Sequence, residues 1–147
     1  MPDAPRVVIG GSEDQHVVIT VLGRMHGSND YWDGNWLVTP IEVAAGGLRA
    51  AVGAALRAEE LASFRRALAW VDQQVSGEAV LESMEDWLTL RVTVARTGQV
   101  TVTGRVSDRP GVAELTFVLD GLDVTYLPAI IDQLSEVERA YPVVGKP

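Results

Sequence analysis

The sequence predicts an α+β fold in which a curved antiparallel sheet of about six or seven strands carries two amphipathic helices. Several short segments alternate apolar with polar residues, as half-buried strands do. Two longer segments repeat apolar residues at three- and four-residue spacing, as amphipathic helices do. The strands come in runs and give the order β-β-β-α-β-β-β-β-α. Runs of strands, as opposed to alternating strand–helix units, favour an antiparallel sheet.

The first predicted strand follows a short N-terminal leader. Residues 1–16 are assigned to this leader, and the Gly-Gly-Ser segment at 10–12 is expected to be flexible. The β-branched segment 17–22 is the first strand. Residues 35–44 alternate and form the second. Because Pro40 cannot donate to a ladder, we expect it at a sheet edge or at a bulge.

Turn formers and helical periodicity organise the middle of the chain. The pair Gly46-Gly47 suits a two-residue hairpin turn into a third strand over 48–53, because glycine adopts positive φ without a Cβ clash. A helix is predicted over 58–74, with an apolar stripe on one face and two glutamates near its positive N-terminal end. Gly77 is the expected stop signal of this helix.

The C-terminal half predicts a run of strands and a second helix. This helix covers residues 125–141, with Thr125 as a plausible N-cap and Pro128 tolerated in the first turn. The strands that precede it are predicted over 78–82, 88–95, 100–106 and 113–120.

Composition limits the classes of function. The chain has 147 residues, no cysteine and a formal net charge of −8. The absence of cysteine excludes disulfides, thiolate metal sites and a cysteine nucleophile. Phosphate binding requires clustered positive charge, so we expect no nucleic-acid partner, whereas a basic protein would suit the acidic surface.

The sequence predicts one cytoplasmic domain. The N-terminus lacks a basic region followed by an apolar run, and no segment approaches the length of a membrane-spanning helix. No interior linker or repeat divides the chain. We therefore expect a single domain over residues 17–142, followed by a C-terminal tail over 143–147.

The motifs that carry most enzyme chemistry are missing from the sequence. It contains no nucleophile elbow, zinc helix, P-loop or dinucleotide-binding turn. His16 and His26 lie at opposite ends of one predicted strand and are not expected to meet. We therefore predict a protein that is not an enzyme and has no cofactor, metal site or catalytic residue. A hydrolase that uses two carboxylates from distant segments stays open.

Two segments are candidates for contact with a partner protein. Aromatic side chains surround Asp33-Gly34, and such residues serve as interface anchors; the simpler interpretation is that Trp36 with Tyr31 or Trp32 pins this loop onto the core. An acidic group near residue 85 could meet basic residues of a partner or hold a divalent cation, or it could be a solvated hairpin tip. The candidate contact residues are Asp30, Tyr31, Trp32, Asp33, Glu82, Glu85 and Asp86.

Four landmarks, taken in order, resemble a known family. They are Tyr31-Trp32-Asp33-Gly34-Asn35-Trp36-Leu37 at the start of a strand, the helical stretch 61–68, Glu85-Asp86-Trp87-Leu88, and Thr125-Tyr126-Leu127-Pro128. Together they are similar to the WapI-type immunity proteins of bacterial polymorphic toxin systems. The resemblance spans roughly residues 17–142.

This resemblance implies a cytoplasmic antidote that binds and blocks the C-terminal domain of a contact-delivered toxin, often a nuclease. Such proteins diverge at their binding faces, so it assigns no contact residue on this chain. The leading hypothesis is therefore a monomeric or homodimeric immunity protein that binds a basic toxin domain. The alternatives are a small homo-oligomeric structural or regulatory module and the carboxylate-dependent hydrolase.

Overall fold

Nine strands and three α-helices follow one another in the part of the chain that the computed structural model describes, residues 3–109 and 111–147. The strands are β1 (Arg6–Ser12), β2 (Gln15–Thr20), β3 (Gly23–Arg24), β4 (Trp36–Ala45), β5 (Leu48–Arg57), β6 (Gly77–Glu82), β7 (Leu88–Val94), β8 (Gln99–Asp108) and β9 (Ala113–Asp123). The helices are α1 (Tyr31–Gly34), α2 (Ala58–Gln74) and α3 (Leu127–Ala140), and a 3-10 turn (Val124–Tyr126) leads into α3.

The strands form two antiparallel sheets. In the first sheet, β2 pairs with β1 and β4, β4 pairs with β5, and the short β3 also pairs with β4. The second sheet has the order β6-β7-β8-β9. The predicted α+β class with antiparallel pairing is confirmed. The predicted single sheet of six or seven strands is too small, since nine strands divide between two sheets.

The assignment of residues 6–12 to a flexible leader is wrong, because they form β1. Val7 and Ile9 are fully buried, so this strand contributes to the core. Its register with β2 shifts between Gly10 and Ser12, and Gly10 has a φ of 121° there. The glycine that suggested flexibility instead permits a bulge, a backbone conformation that other residues rarely adopt.

Pro40 lies in an interior strand, so the expected edge position is wrong. It lies beside the junction between β2 and β3, where Ile19 pairs with Ile41 but Gly23 pairs with Val38. The four positions from Ile19 to Gly23 are therefore matched by only three positions of β4, from Ile41 to Val38. This one-residue irregularity is the one expected of a bulge. The Leu22 amide donates to the Val38 carbonyl, and by strand alternation Pro40 also directs its nitrogen toward this junction.

Helix α2 has the bounds that the sequence predicts. The predicted stripe of Leu61, Phe64, Leu68 and Val71 is buried in the core. The helix ends on Val75 in the left-handed conformation, with a φ of 54°, and not on Gly77, which opens β6.

Helix α3 begins later than predicted. Asp123, not Thr125, caps the preceding 3-10 turn, because its carboxylate accepts from the Thr125 amide at 2.8 Å. This exposed carboxylate also accepts from the Thr125 hydroxyl, and both bonds lower the pKa of Asp123. Pro128 lies in the first turn of α3, as expected.

One apolar core lies between the sheets and the two long helices. Helix α2 packs against α3 and β6, and α3 packs against β1. Trp87 packs on this core as a half-buried boundary residue, whereas Trp70 on α2 is 60% exposed. No helix within the described residues is long and apolar enough to cross a membrane.

Candidate protein-binding face

Helix α1 is a single turn that presents one tryptophan to solvent. The Asp30 carboxylate caps it by accepting from the amides of Trp32 and Asp33, at 3.0 and 3.1 Å. The rings of Tyr31 and Trp32 meet edge to face with 5.0 Å between centroids, and Trp32 remains 53% exposed. The turn requires Gly34, since a Cβ there would lie 2.2 Å from the Ser28 carbonyl oxygen.

A buried arginine supports this turn from below. Arg57, the last residue of β5, is 1% exposed. Its guanidinium donates to the carbonyl oxygens of Trp32 and Tyr31, at 2.8 and 2.7 Å, and to the Glu59 carboxylate at 2.7 Å. It also lies over the Trp36 ring, 4.7 Å from its centroid, as well as near the rings of Tyr31 and Trp32. The carbonyl acceptors, the ion pair with Glu59 and the aromatic faces together compensate the burial of its charge.

The opposite side of α1 is held by Asn35 and the C-terminal tail. The fully buried Asn35 donates to the carbonyl oxygens of Tyr31 and Val144 and accepts from the Val144 amide, each at 2.9 Å. Arg24 donates to the Gly34 carbonyl at 2.7 Å and also to the Pro142 carbonyl. The backbone of the turn that carries Trp32 is therefore held by side chains from three parts of the chain, Arg24, Asn35 and Arg57.

Glu60 joins this turn to the second candidate segment. Its carboxylate accepts from the Arg57 amide at 2.8 Å and from the Met84 amide at 2.6 Å, so the loop between β6 and β7 lies beside the N-terminal end of α2. Burial raises the pKa of Glu60, although both amide bonds and Arg57 act in the opposite direction. In the same loop Met84 is 58% exposed, and Asp86 takes a φ of 60°.

Both predicted segments thus lie at one end of α2. We name the two segments together the aromatic–acidic face; its residues are Asp30, Tyr31, Trp32, Asp33, Glu82, Glu85 and Asp86. Glu82 lies at its margin, beside Thr89 and Arg91 on the outer side of the second sheet. All residues of the face except Tyr31 are exposed, and Arg105 lies 3.8 Å from Asp86. Asp30 is also needed as a helix cap, which the sequence analysis did not foresee.

The described residues contain no group of three or more histidine, aspartate or glutamate side chains placed to hold a metal ion. His16 lies in β2, 3.5 Å from Glu42, and His26 is exposed in the loop after β3. Neither histidine is part of the aromatic–acidic face.

Arg57 and Glu60 are not among the site residues that the sequence predicts, although their side chains bind the backbone of both candidate segments. Arg57 lies at a strand–helix junction next to Glu59 and Glu60, and its nearest aromatic partners are more than twenty positions earlier. A lone arginine between an apolar strand and an acidic helix start was the signal available. This signal indicates that the arginine charge is paired, but it does not indicate which aromatic rings contact the guanidinium.

The fold and this face define a two-sheet antiparallel α+β protein whose polar and aromatic groups are displayed on its exterior. The chain belongs to the immunity protein WapI-like family, whose family model matches residues 8–142. The resemblance found in the sequence is therefore confirmed over nearly the whole chain.

A comparison with solved structures supports the fold alone. The chain is similar to a solved structure of Trypanosoma brucei MRP1/MRP2, with a TM-score of 0.50 and 16% sequence identity over 95% of this chain and 86% of that one. None of the curated proteins with which the chain was compared matches it.

Proposed function

We propose that this protein is a cytoplasmic immunity protein that neutralises a nuclease-like toxin domain by binding it through the aromatic–acidic face, without catalysing a reaction. Membership of the WapI-like family supports the toxin-neutralising role. One observation carries the choice of face: Trp32 is largely exposed, yet its backbone is fixed by a buried arginine. An exposed aromatic that loses little conformational freedom on binding is a favourable interface anchor.

The charges of the face support a basic partner. Asp33, Glu82, Glu85 and Asp86 are exposed, and the whole chain carries a net charge of −8. An enzyme that cleaves RNA or DNA requires a positive groove to bind phosphates, and an acidic surface can fill such a groove. In this proposal residues 17–142 act as one domain, no nucleic acid is bound, and the free protein is a monomer or a homodimer.

Co-expression tests the proposal directly. The toxin-like C-terminal domain encoded by a neighbouring gene is produced with and without this protein, and growth and complex formation on size exclusion are measured. We expect protection and a stable complex. Absence of both with a folded protein would contradict the proposed role.

A matched pair of tryptophan substitutions tests the face. Trp32→Ala is expected to weaken toxin binding by about 2 kcal/mol or more, the usual cost at an interface anchor. Trp70→Ala is the control, because Trp70 is 60% exposed on α2 but lies about 18 Å along the helix from its N-terminal end. Equal losses from the two substitutions would exclude the aromatic–acidic face as the main contact.

The acidic contribution is tested by Glu85→Gln combined with Asp86→Asn. Asparagine tolerates the positive φ of residue 86, so the loop should keep its conformation. We expect slower association with the toxin domain and a weaker dependence of the association rate on salt, as charge steering is removed. Association kinetics at low and high salt measure both effects.

A further inference from the structure

Strand β5 has one paired and one unpaired edge. It pairs with β4 along its whole length, from Leu48 opposite Ala45 to Arg57 opposite Trp36, and with no other strand among the described residues. An unpaired strand edge presents a row of amide and carbonyl groups that can pair with another chain.

The hydrogen bonds to Thr39 show which backbone groups of β5 point outward. The Leu56 amide donates to the Thr39 hydroxyl, and this hydroxyl donates to the Ala54 carbonyl, so even-numbered residues of β5 face β4. By alternation, odd-numbered residues direct their amides and carbonyls to the free edge. The Arg57 amide confirms this direction, because it turns away from β4 to Glu60. The outward residues are Arg49, Ala51, Gly53 and Ala55.

The outer strands β1 and β9 each have an amide bound by a glutamine side chain, whereas β5 lies near β8 without pairing with it. Gln133 of α3 accepts from the Val8 amide of β1, and Gln15 accepts from the Asp120 amide of β9. Along β5, no hydrogen bond of the described residues uses the outward groups of Ala51, Gly53 or Ala55. Residues 50–56 contain neither a charged side chain nor a proline, the usual devices that protect a strand edge.

Clefts lie on both sides of this free edge. The cleft toward the second sheet has a volume of about 230 Å³, and Val52, Val106 and Leu115 give it an apolar lining. The cleft on the outer side has a volume of about 530 Å³ and runs past Ala51 and Gly53. A strand added to β5 would direct alternate side chains toward these two clefts.

The charged residues beside the free edge of β5 indicate which kind of partner can bind there. The ionisable residues that line the inner cleft are Asp108 and Glu114, both acidic, although Glu114 also lies 3.7 Å from Arg105. A second copy of this chain, paired edge to edge about a two-fold axis, would bring these carboxylates and two net charges of −8 together. An extended segment with lysine or arginine would instead complement them.

We propose that the free edge of β5 binds an extended basic segment of a partner protein as an added antiparallel or parallel strand. The backbone of Arg49, Ala51, Gly53 and Ala55 supplies the hydrogen bonds, and Asp108 and Glu114 attract the basic side chains. This surface is distinct from the aromatic–acidic face, and the inference does not depend on the partner being a toxin.

A peptide titration tests the inference. The probe is a blocked ten-residue peptide that alternates valine with lysine, matched to the ten residues of β5. We expect shifts of the amide NMR signals of Ala51, Gly53 and Ala55 in the full chain, with hydrogen exchange slowed about tenfold at saturation. A peptide with the same side chains but N-methylated backbone amides should produce neither effect. A valine–glutamate peptide should bind at least about tenfold more weakly.

Two variants distinguish the contribution of the β5 backbone to peptide binding from the contribution of the acidic residues beside it. Ala51→Pro removes an amide that faces the free edge and leaves the β4 ladder intact, so it should abolish peptide binding. Asp108→Asn with Glu114→Gln keeps the edge and should weaken binding of the basic peptide about tenfold. Three results would overturn the inference: equal binding of the N-methylated peptide, signal shifts confined to other strands, or a homodimer on light scattering that Ala51→Pro dissociates.

Discussion

Arg57 is the residue on which the geometry of the aromatic–acidic face depends most. Arg57→Met keeps much of the side-chain volume but removes every donor to Tyr31, Trp32 and Glu59. We expect a loss of about 3–5 kcal/mol in the free energy of unfolding, because the remaining partners stay buried or half-buried without their cation. Urea unfolding followed by tryptophan fluorescence measures this loss.

Arg49→Met is the matched control for Arg57→Met. Arg49 is also in β5 and pairs with Asp14 at 3.1 Å, but both side chains are largely exposed. Exposed ion pairs contribute at most about 1 kcal/mol. A cost for Arg49→Met equal to that for Arg57→Met would contradict the structural role given to Arg57.

Glu60 gives stability a specific dependence on pH. Burial raises the pKa of Glu60 in the folded protein above its ordinary value, so folding favours its protonated form. The stability that this group contributes is full below its unfolded-state pKa and is lost as pH rises through its folded-state pKa. The advantage of the wild type over Glu60→Gln should therefore shrink as pH rises from below the ordinary pKa of a glutamate through the raised folded-state pKa of Glu60, and then stay level. Urea unfolding of both proteins across this range measures it, and an advantage that grows with pH would refute it.

Residues such as Arg57 and Glu60 mark where sequence reasoning reaches its limit. The aromatic segment and the acidic loop were found from composition and turn chemistry, which are local signals. The two segments lie near each other because the Glu60 carboxylate accepts from the amides of both Arg57 and Met84, which are more than twenty positions apart in the sequence. No periodicity reports such a contact, because it arises from tertiary packing.

Among the elements, two strand glycines with different surroundings allow a sharp prediction. A Cβ at Gly104 in β8 would lie 2.4 Å from the Phe117 ring and 2.9 Å from a Leu90 methyl carbon. Gly104→Ala should therefore destabilise the protein by about 1–3 kcal/mol, as overpacking does. At Gly53 in β5 a Cβ would meet nothing within 4 Å, so Gly53→Ala should be neutral or stabilising by up to about 1 kcal/mol. Thermal and urea unfolding compare the pair, and a larger loss at Gly53 would contradict it.

The elements that the sequence predicts best are those with local periodicity. Helix α2 and the β7–β8 hairpin carry their patterns within continuous segments, and both are confirmed. The strand β1 was missed because its Gly-Gly-Ser ending resembles a flexible segment, although its buried Val7 and Ile9 alternate correctly. For Pro40 the sequence allows a sheet edge or a bulge without choosing between them, because the irregularity opposite it belongs to another strand, which its own segment does not encode.

At the scale of the whole molecule, the C-terminal tail closes the structure onto the aromatic–acidic face. The sequence assigned 143–147 to a tail outside the predicted domain, a division that stays a prediction. Val144 nevertheless exchanges two hydrogen bonds with the buried Asn35. Gly145, with a φ of 68°, lies so close to α1 that a Cβ would be 2.7 Å from the Tyr31 amide nitrogen. The tail thus stabilises the turn that presents Trp32.

Deleting residues 143–147 should therefore lower the free energy of unfolding by about 1–3 kcal/mol, since Asn35 would lose its partners at Val144. Deleting only residues 146 and 147 leaves Val144 and Gly145 in place and is the control. Asn35→Ala should cost less in the shortened chain than in the full chain, because the deletion has already removed part of the interaction. Urea unfolding of the four proteins in this cycle measures the coupling. Strictly additive losses would show that the tail does not act on the face through Asn35.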